Sequence, residues 1–447
     1  MNKRTRKTPR RDKTQVRKRR SSSSSRPLTE PQGWLPRINS RLAPRLNALL
    51  NPGSIAAKTD SAELLVRGGL EDAFHGRATD IHYEPFGGGW RIRFRIDGHI
   101  HDAAQPEPGH GQKMVRFLRT LAGLDPVTGQ TPQDASFQFP VGDRKLDVRL
   151  TSVPCQGGEK LTLRLLDPRR VQRHIQDLGL NDANLRVLER RTEEAVGMCL
   201  LTGPTGSGKT TTLYALMHEL ELSDHAVVTI EDPVEYPIDG LTQIQVDPRR
   251  GLSFAAGLKA TLRLDPDYLI VGEMRDEDSA QTAVEAAASG HFVMSTLHSS
   301  DAASVVTLLR GWGLMDHQIA TVLQLVVNQR LVRRLCPKCR RAGAPTKEER
   351  KWLKSLRLAI PPKVFRAAGC AACHQTGYYD RIGVFEVWQK LDSDYDLILA
   401  HADEQTLRRN LRRRGLGTVL DDGLAKVRRG ITSLSELQGM GAQLGGQ

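Results

Sequence analysis

The most constraining stretch of this chain is Gly203-Pro204-Thr205-Gly206-Ser207-Gly208-Lys209-Thr210, set between an apolar run, Met198 to Thr202, and a helical pattern that opens at Thr211. A glycine-rich turn joining a buried strand to a helix is the context of a phosphate-binding loop. Its glycines let successive N–H groups point inward and the helix N-terminus adds positive potential. Lys209 is then placed for the β and γ phosphates of a nucleotide, and the Thr210 hydroxyl for Mg²⁺. Gly203 through Thr211 are the expected nucleotide contacts. Such a loop belongs to a parallel sheet, and Ala226 to Ile230, Tyr268 to Gly272 and His291 to Thr296 are short, nearly continuous apolar runs separated by helical stretches. Buried strands of an α/β layer fold read this way.

A phosphate loop needs carboxylates at the ends of neighbouring strands, one near the metal and one to position water. Leu269-Ile270-Val271 runs into Gly272-Glu273, and Val228-Thr229-Ile230 runs into Glu231-Asp232, with Glu235 shortly after. His291 and His298 bracket a further strand that ends near the same face, but spacing alone assigns neither of them a role.

The six cysteines fit a reducing compartment. Cys336-x2-Cys339 and Cys370-x2-Cys373 are separated by thirty residues and make a four-thiolate set. That set suits tetrahedral Zn²⁺, with every position filled by protein and a structural role. Cys155 and Cys199 read as free thiols, the second buried in the strand before the phosphate loop.

Upstream, Trp90, Ile92, Phe94 and Ile96 alternate with Arg91, Arg93 and Arg95. Leu146, Val148 and Leu150, and then Leu161, Leu163 and Leu165, repeat the period of two. The pattern predicts a sheet with one apolar and one basic face. A helix precedes it, with Asp60 and Glu63 at capping-box spacing ahead of Leu65, Val66, Leu70, Ala73 and Phe74. Charge is segregated further towards the N-terminus: residues 1 to 26 hold twelve Lys and Arg beside one acid, Asp12, so +11 of the net +14 lies there. That arm is too polar and like-charged to fold, while the nearly neutral remainder argues against a body built to grip nucleic acid. Residues 27 to 59, with short apolar stretches around Leu42 and Leu46, read as a tether with one helix. No run of 18 apolar residues and no signal-peptide core is present, so any membrane contact is expected to be peripheral.

Together these residues resemble the secretion ATPases of the type II secretion and type IV pilus class, the GspE/PilB-like family, from about Asp60 to Leu437. Ala78-Thr79-Asp80-Ile81-His82-Tyr83-Glu84-Pro85 resembles the signature of that family's second N-terminal domain. Thr229 to Tyr236 is similar to its aspartate box, Val271 to Asp276 to its Walker B, and Gly290 to His298 to its histidine box. The resemblance implies a RecA-like P-loop ATPase core, ATP with Mg²⁺, Glu235 as the water-activating base, Glu273 in the magnesium shell and His298 as a γ-phosphate sensor or intersubunit contact. It also implies nucleotide-reaching roles for Arg95 and Arg149. A homo-hexamer at the cytoplasmic face of the inner membrane follows, with an inner-membrane platform protein as partner and a membrane-anchored docking protein as a further one. From its charge alone the basic arm reads as a partner for anionic lipid, with a solvated tail and adventitious nucleic-acid contact as the other readings. No specific nucleic acid is expected. Two departures stand out. Ala135-Ser136 follows Pro132-Gln133-Asp134 where the family has glycine and arginine, and the family's first N-terminal domain has no room ahead of Asp60.

The expected organisation is an arm and tether over 1–59, a smaller PAS-like α/β domain over 60–168, a linker over 169–179 and the ATPase core over 180–335. A tetracysteine insertion over 336–390 and a helical C-terminal region over 391–447 complete it. The function expected is pilus or pseudopilus assembly. A pilus retraction ATPase and a nucleic-acid-translocating ATPase are the alternatives.

Overall fold

The computed structural model describes residues 39–441, apart from 52, 55–60, 128–129, 168–172 and 221–223. The arm, most of the tether and the start of the linker lie outside the described residues.

The first sheet is antiparallel, with six strands in the order β3-β2-β1-β6-β5-β4. They are β1 (Ala78–Phe86), β2 (Gly89–Ile96), β3 (His99–Ala104), β4 (Gln133–Val141), β5 (Arg144–Cys155) and β6 (Gly158–Leu166). The period-2 residues named above are all buried, and α1 (Pro44–Leu50), α2 (Ala62–His75) and α3 (Pro108–Leu121) pack on that face through Leu46, Leu65, Leu70, Met114 and Leu118. Two expectations need correction. The cap of α2 is Ser61, whose hydroxyl accepts the Leu64 N–H at 3.3 Å, while Asp60 lies outside the described residues. The boundary at 59/60 also moves, because Leu42, in the turn before α1, and Leu46, within it, are fully buried in this domain. The Leu46 N–H, near the start of α1, donates to the Asp72 carboxylate of α2 at 2.9 Å.

The outer face of this sheet is a charge lattice, not an open basic surface. Glu84 pairs with Arg91, Arg93 and Lys160 at 3.1, 2.7 and 2.8 Å, and Asp80 with Arg95 and Arg164 at 3.5 and 3.2 Å. Burial alone would raise the Glu84 carboxyl, but the bonds from Arg93 and Lys160 more than reverse it and hold it at about 2. Under the other face, Arg119 is buried and binds Glu159, Ser152, Gln133 and the Asp125 carbonyl, tying the loop after α3 to the sheet.

The second sheet has seven strands in the order β15-β12-β7-β11-β10-β8-β9. They are β7 (Gly197–Thr202), β8 (Val227–Glu231), β9 (Thr242–Gln245), β10 (Tyr268–Val271), β11 (Phe292–Leu297), β12 (Leu323–Leu335) and β15 (Tyr378–Gln389). All neighbours are parallel except β15 with β12. Helices lie on both faces: α4 (Asp182–Glu193), α5 (Lys209–His218), α6 (Phe254–Thr261), α7 (Glu277–Ala288), α8 (Ser304–Gly311) and α9 (Asp316–Val322). Every residue of β7, β8, β10 and β11 is buried, which is why these strands read as unbroken apolar runs.

Between β12 and β15 the chain forms β13 (Arg341–Gly343), α10 (Lys347–Ser355) and β14 (Val364–Arg366), with a cysteine pair on either side. The insertion therefore closes before Tyr378, not at 390, since 378–389 is an edge strand of the core sheet. The C-terminal region divides as well. Helices α11 (Asp392–Leu399) and α12 (Glu404–Arg413) bury Ile398, Leu407 and Leu411 in the ATPase core. Helices α13 (Val419–Arg428) and α14 (Leu434–Gly441) pack Leu424, Val427 and Leu437 against Leu353 and Val364 of the insertion. Among the described residues no helix is long and apolar enough to cross a membrane.

Candidate functional site

β7 ends at Thr202 and the next six residues turn the chain into α5, whose first residue is Lys209 and whose N-cap is Gly208. The helix thus opens two residues earlier than the apolar pattern implies, which puts Lys209 and Thr210 in its first turn, at the positive end of its dipole. Gly203 has φ 144°, and a Cβ there would sit 2.4 Å from the Gln329 carbonyl oxygen of β12, so no side chain fits. Gly206, at φ 78°, has open space where its Cβ would stand. The loop is walled by β12 below and open above, which suits a phosphate cradle.

Lys209 Nζ curls back to donate to the Gly203 carbonyl at 2.8 Å and the Pro204 carbonyl at 3.4 Å. Burial pushes its ammonium below the ordinary lysine value, and the Glu273 charge pulls the other way. From the end of β11, His298 Nδ1 meets the same Gly203 carbonyl at 3.0 Å, lies 3.4 Å from Lys209 Nζ, and its Nε2 is 2.7 Å from Glu273 Oε1. Glu273, just past β10, takes Arg275 Nε at 2.9 Å on its other oxygen, and Arg275 also reaches Asp232 at 3.2 Å. Four sequence segments that are far apart in the chain converge here because parallel strands end at one edge.

The aspartate-box acids separate. Glu231 is buried and bonded to Tyr214, Thr229 and Gln243 at 2.5, 2.7 and 3.1 Å, the pattern of a structural carboxylate. Glu235 is partly exposed and faces Arg149 of β5 at 3.5 Å, while Arg149 also donates to the Val234 carbonyl at 3.3 Å. Ser136, where the resemblance expects an arginine, is the cross-strand partner of Arg149, so this sheet brings one arginine to the aspartate box from that pair. Arg95 is turned to Asp80 and the Gly98 carbonyl within its own sheet. His291 stands at the opposite end of β11 and meets Ser289 and the Ala286 carbonyl. Thr210 is exposed on the first turn of α5.

The phosphate loop also has neighbours that apolar patterning hid. Gln329 Oε1 accepts the Thr212 hydroxyl of α5 at 2.7 Å, and Arg330 Nη2 donates to the Ser300 carbonyl at 2.8 Å. Asn328-Gln329-Arg330 is a buried polar triplet between the apolar pairs Val326-Val327 and Leu331-Val332 of β12, and that interruption is its only sequence signal.

Cys336, Cys339, Cys370 and Cys373 place their sulfurs within 4.8 Å of one another. The separations are 3.8 Å for Cys336–Cys370, 3.8 Å for Cys339–Cys373 and 3.7 Å for Cys370–Cys373. Four sulfurs at Zn–S bond length around a tetrahedral ion lie about 3.8 Å apart, so the set fits zinc. Backbone N–H groups of Cys370 and Gly377 donate to Cys373 Sγ at 3.2 Å, as a thiolate favours. Cys199 is buried in β7, where burial pushes its thiol up to about 12, and Cys155 is exposed.

A buried parallel sheet with a strand, glycine loop, lysine-led helix and facing carboxylate defines a RecA-like α/β core of the P-loop ATPase class. Residues 56–439 match the family described as Type II/IV secretion system protein, and the chain belongs to that family. It is 41% identical over 373 residues to the type II secretion system ATPase E of Vibrio cholerae, covering 83% of this chain and 74% of that protein. It is 35% identical over 391 residues to the type IV pilus assembly ATPase PilB of Pseudomonas aeruginosa, covering 86% and 68%. Among solved structures, the Legionella pneumophila ATPase DotB shares the fold at TM-score 0.60 and 21% identity, over 83% of this chain and 94% of that one. The pilus retraction motor PilT with bound ADP shares it at TM-score 0.55 and 24% identity, over 82% and 94%.

Proposed function

We propose that the protein is a homo-hexameric ATPase that drives assembly of a pilus or pseudopilus at the cytoplasmic face of a bacterial inner membrane, through an inner-membrane platform protein. The observation that carries this reading is the meeting of Lys209 and His298 at the Gly203 carbonyl, with Glu273 paired to the far nitrogen of His298, in a chain similar to a type II secretion ATPase and a pilus assembly ATPase. Lys209 exchanges its carbonyl partners for the β and γ phosphate oxygens, where its charge counters that developing on the transferred group. Mg²⁺ held near the Thr210 hydroxyl and Glu273 supplies further charge neutralisation when bound. His298 bridges Glu273 and the loop and so senses whether the γ phosphate is present. Glu235 activates water. A nucleotide triphosphate is a more highly charged partner for Arg149 than Glu235 is, so its arrival draws Arg149 away and frees that carboxylate to accept a proton. The four cysteines hold structural zinc, and the family resemblance associates that module with assembly rather than retraction.

The test is turnover by purified, folded variants. Lys209→Ala should abolish ATP hydrolysis, and Glu235→Gln should bind ATP with near wild-type affinity yet hydrolyse it at least about 100-fold more slowly. Wild-type turnover by either variant would remove that residue from the mechanism.

A further inference from the structure

The loop that carries His298 is gripped from two sides. On the inner side, Arg330 Nη2 and Asn328 Nδ2 of β12 both donate to the Ser300 carbonyl, at 2.8 and 3.2 Å. The same guanidinium donates through Nη1 to Asn328 Oδ1 at 2.8 Å and to the Gln329 carbonyl at 3.0 Å. That carbonyl is the wall beneath Gly203. One arginine therefore sets the spacing between the first glycine of the phosphate loop and the chain two residues past His298.

On the outer side, Arg408 of α12 donates through Nε to Asp301 Oδ2 at 3.0 Å, and its Nη2 meets both Asp301 and Glu404. Asp301 Oδ1 accepts the Ser304 N–H at 2.9 Å and so ties the loop to α8. Between the two grips lies Glu386 of β15, which accepts from Asn328 at 3.0 Å. Asn328, Arg330, Asp301 and Glu386 are all less than 9% exposed. A two-point guanidinium bond to a buried carboxylate is directional, and a buried polar chain of this kind has few alternative arrangements.

We infer that Arg330 from the core strand and Arg408 from the C-terminal helix α12 are positioning residues for ATP hydrolysis, holding the 298–301 loop so that His298 stays in register with Glu273 and Gly203. The inference rests on the reading of Lys209, His298 and Glu273 as the hydrolytic site. It makes α12 part of the apparatus that sets turnover, through a contact that touches no nucleotide. A misplacement of about 1 Å in a catalytic geometry can cost about 100-fold in rate, so loosening one of two grips is expected to cost about tenfold.

The experiment uses the full chain, with steady-state ATP turnover, binding of a fluorescent ATP analogue, and thermal unfolding. Arg408→Met and Asp301→Asn should each lower kcat about tenfold while KM and analogue affinity stay within about threefold. Arg408→Lys, which keeps one bond to Asp301, should recover part of the loss, and Arg330→Lys, which loses the fork, should fall in the same direction. Should Arg408→Met fail to fold, Asp301→Asn decides the matter, since its amide oxygen still accepts the Ser304 N–H while the charge facing Arg408 is gone. Wild-type kcat in folded Asp301→Asn, beside an inactive Lys209→Ala, overturns the positioning role alone. Turnover by Lys209→Ala overturns the reading of the site and this inference with it. Loss of analogue affinity equal to the loss of kcat marks general collapse of the site and also overturns the inference.

Discussion

At the residue scale, burial pushes the Glu386 carboxyl up to about 7, with the Asn328 bond opposing. Asp301 and Arg408 face it, and the Ala302 N–H bonds to it. Its folded value lies above the ordinary 4.5, so its contribution to stability is full below about pH 4.5 and is lost as pH rises through about 7. The loss amounts to at most about 3 kcal/mol. Glu386→Gln keeps an acceptor for Asn328 and does not titrate. Its stability relative to wild type should therefore rise between pH 5 and pH 8, measured by urea unfolding at both values. Parallel pH profiles for the two proteins would show that Glu386 ionises freely in the fold. Gly203 and Glu231 show how differently single residues declare themselves. Gly203 is legible in the sequence because the loop motif demands it, and the 2.4 Å approach of the Gln329 carbonyl gives the steric reason. Spacing leaves Glu231 and Glu235 as one acidic group and the family resemblance singles out Glu235, while the three bonds from Tyr214, Thr229 and Gln243 give the physical ground for treating Glu231 as the structural acid.

At the scale of elements, the cysteine module is a small structure with a thin core of its own. Leu353 and Val364 are fully buried, and what buries them includes α13 and α14 from the C-terminus. A module of about forty residues needs a staple, and the four-sulfur set is suited to be it. Purified protein should carry about one Zn²⁺ per chain by elemental analysis. Cys373→Ser should raise hydrogen exchange over residues 336–377 and along α13, while ATP binding by the core survives. Wild-type protein found free of zinc when prepared without chelator, or Cys373→Ser with the exchange pattern of wild type, would remove zinc from the account. The strand β5 is an inner strand, paired on both sides by β4 and β6, and it delivers Arg149 to Glu235. Arg149→Ala should lower kcat by about 10- to 100-fold with a smaller change in ATP affinity, because charge on the phosphoryl group grows in the transition state. An equal loss of kcat and affinity would assign Arg149 to nucleotide binding alone.

At the scale of the whole molecule, charge is divided between a +11 segment of 26 residues and a body of +3. A basic residue near an anionic leaflet contributes about 1 kcal/mol, decaying within a Debye length, and six copies in one ring would add avidity. Full-length protein should sediment with anionic liposomes at low salt and release at high salt, and a chain beginning at Arg26 should bind much less. Equal sedimentation of the two would locate membrane affinity elsewhere.

The α/β layer order, the phosphate loop, the acids at strand ends, the four-thiolate set and the two-faced upstream sheet were all determined by the sequence itself. Each is a local signal: a period of two, an apolar run bounded by turns, or a fixed spacing whose chemistry is carried by neighbours in the chain. The tertiary structure alone decided which charges meet. It turned a basic sheet face into paired lattices around Glu84 and Asp80, left Arg149 to face Glu235, and took β15 out of the insertion and into the core sheet. It also built the grip on the His298 loop from Arg330 and Arg408, 78 residues apart in the sequence. The physical reason is that hydrophobic periodicity records which side of an element is buried, whereas the partner of a buried polar group depends on which strands lie side by side and where their ends fall.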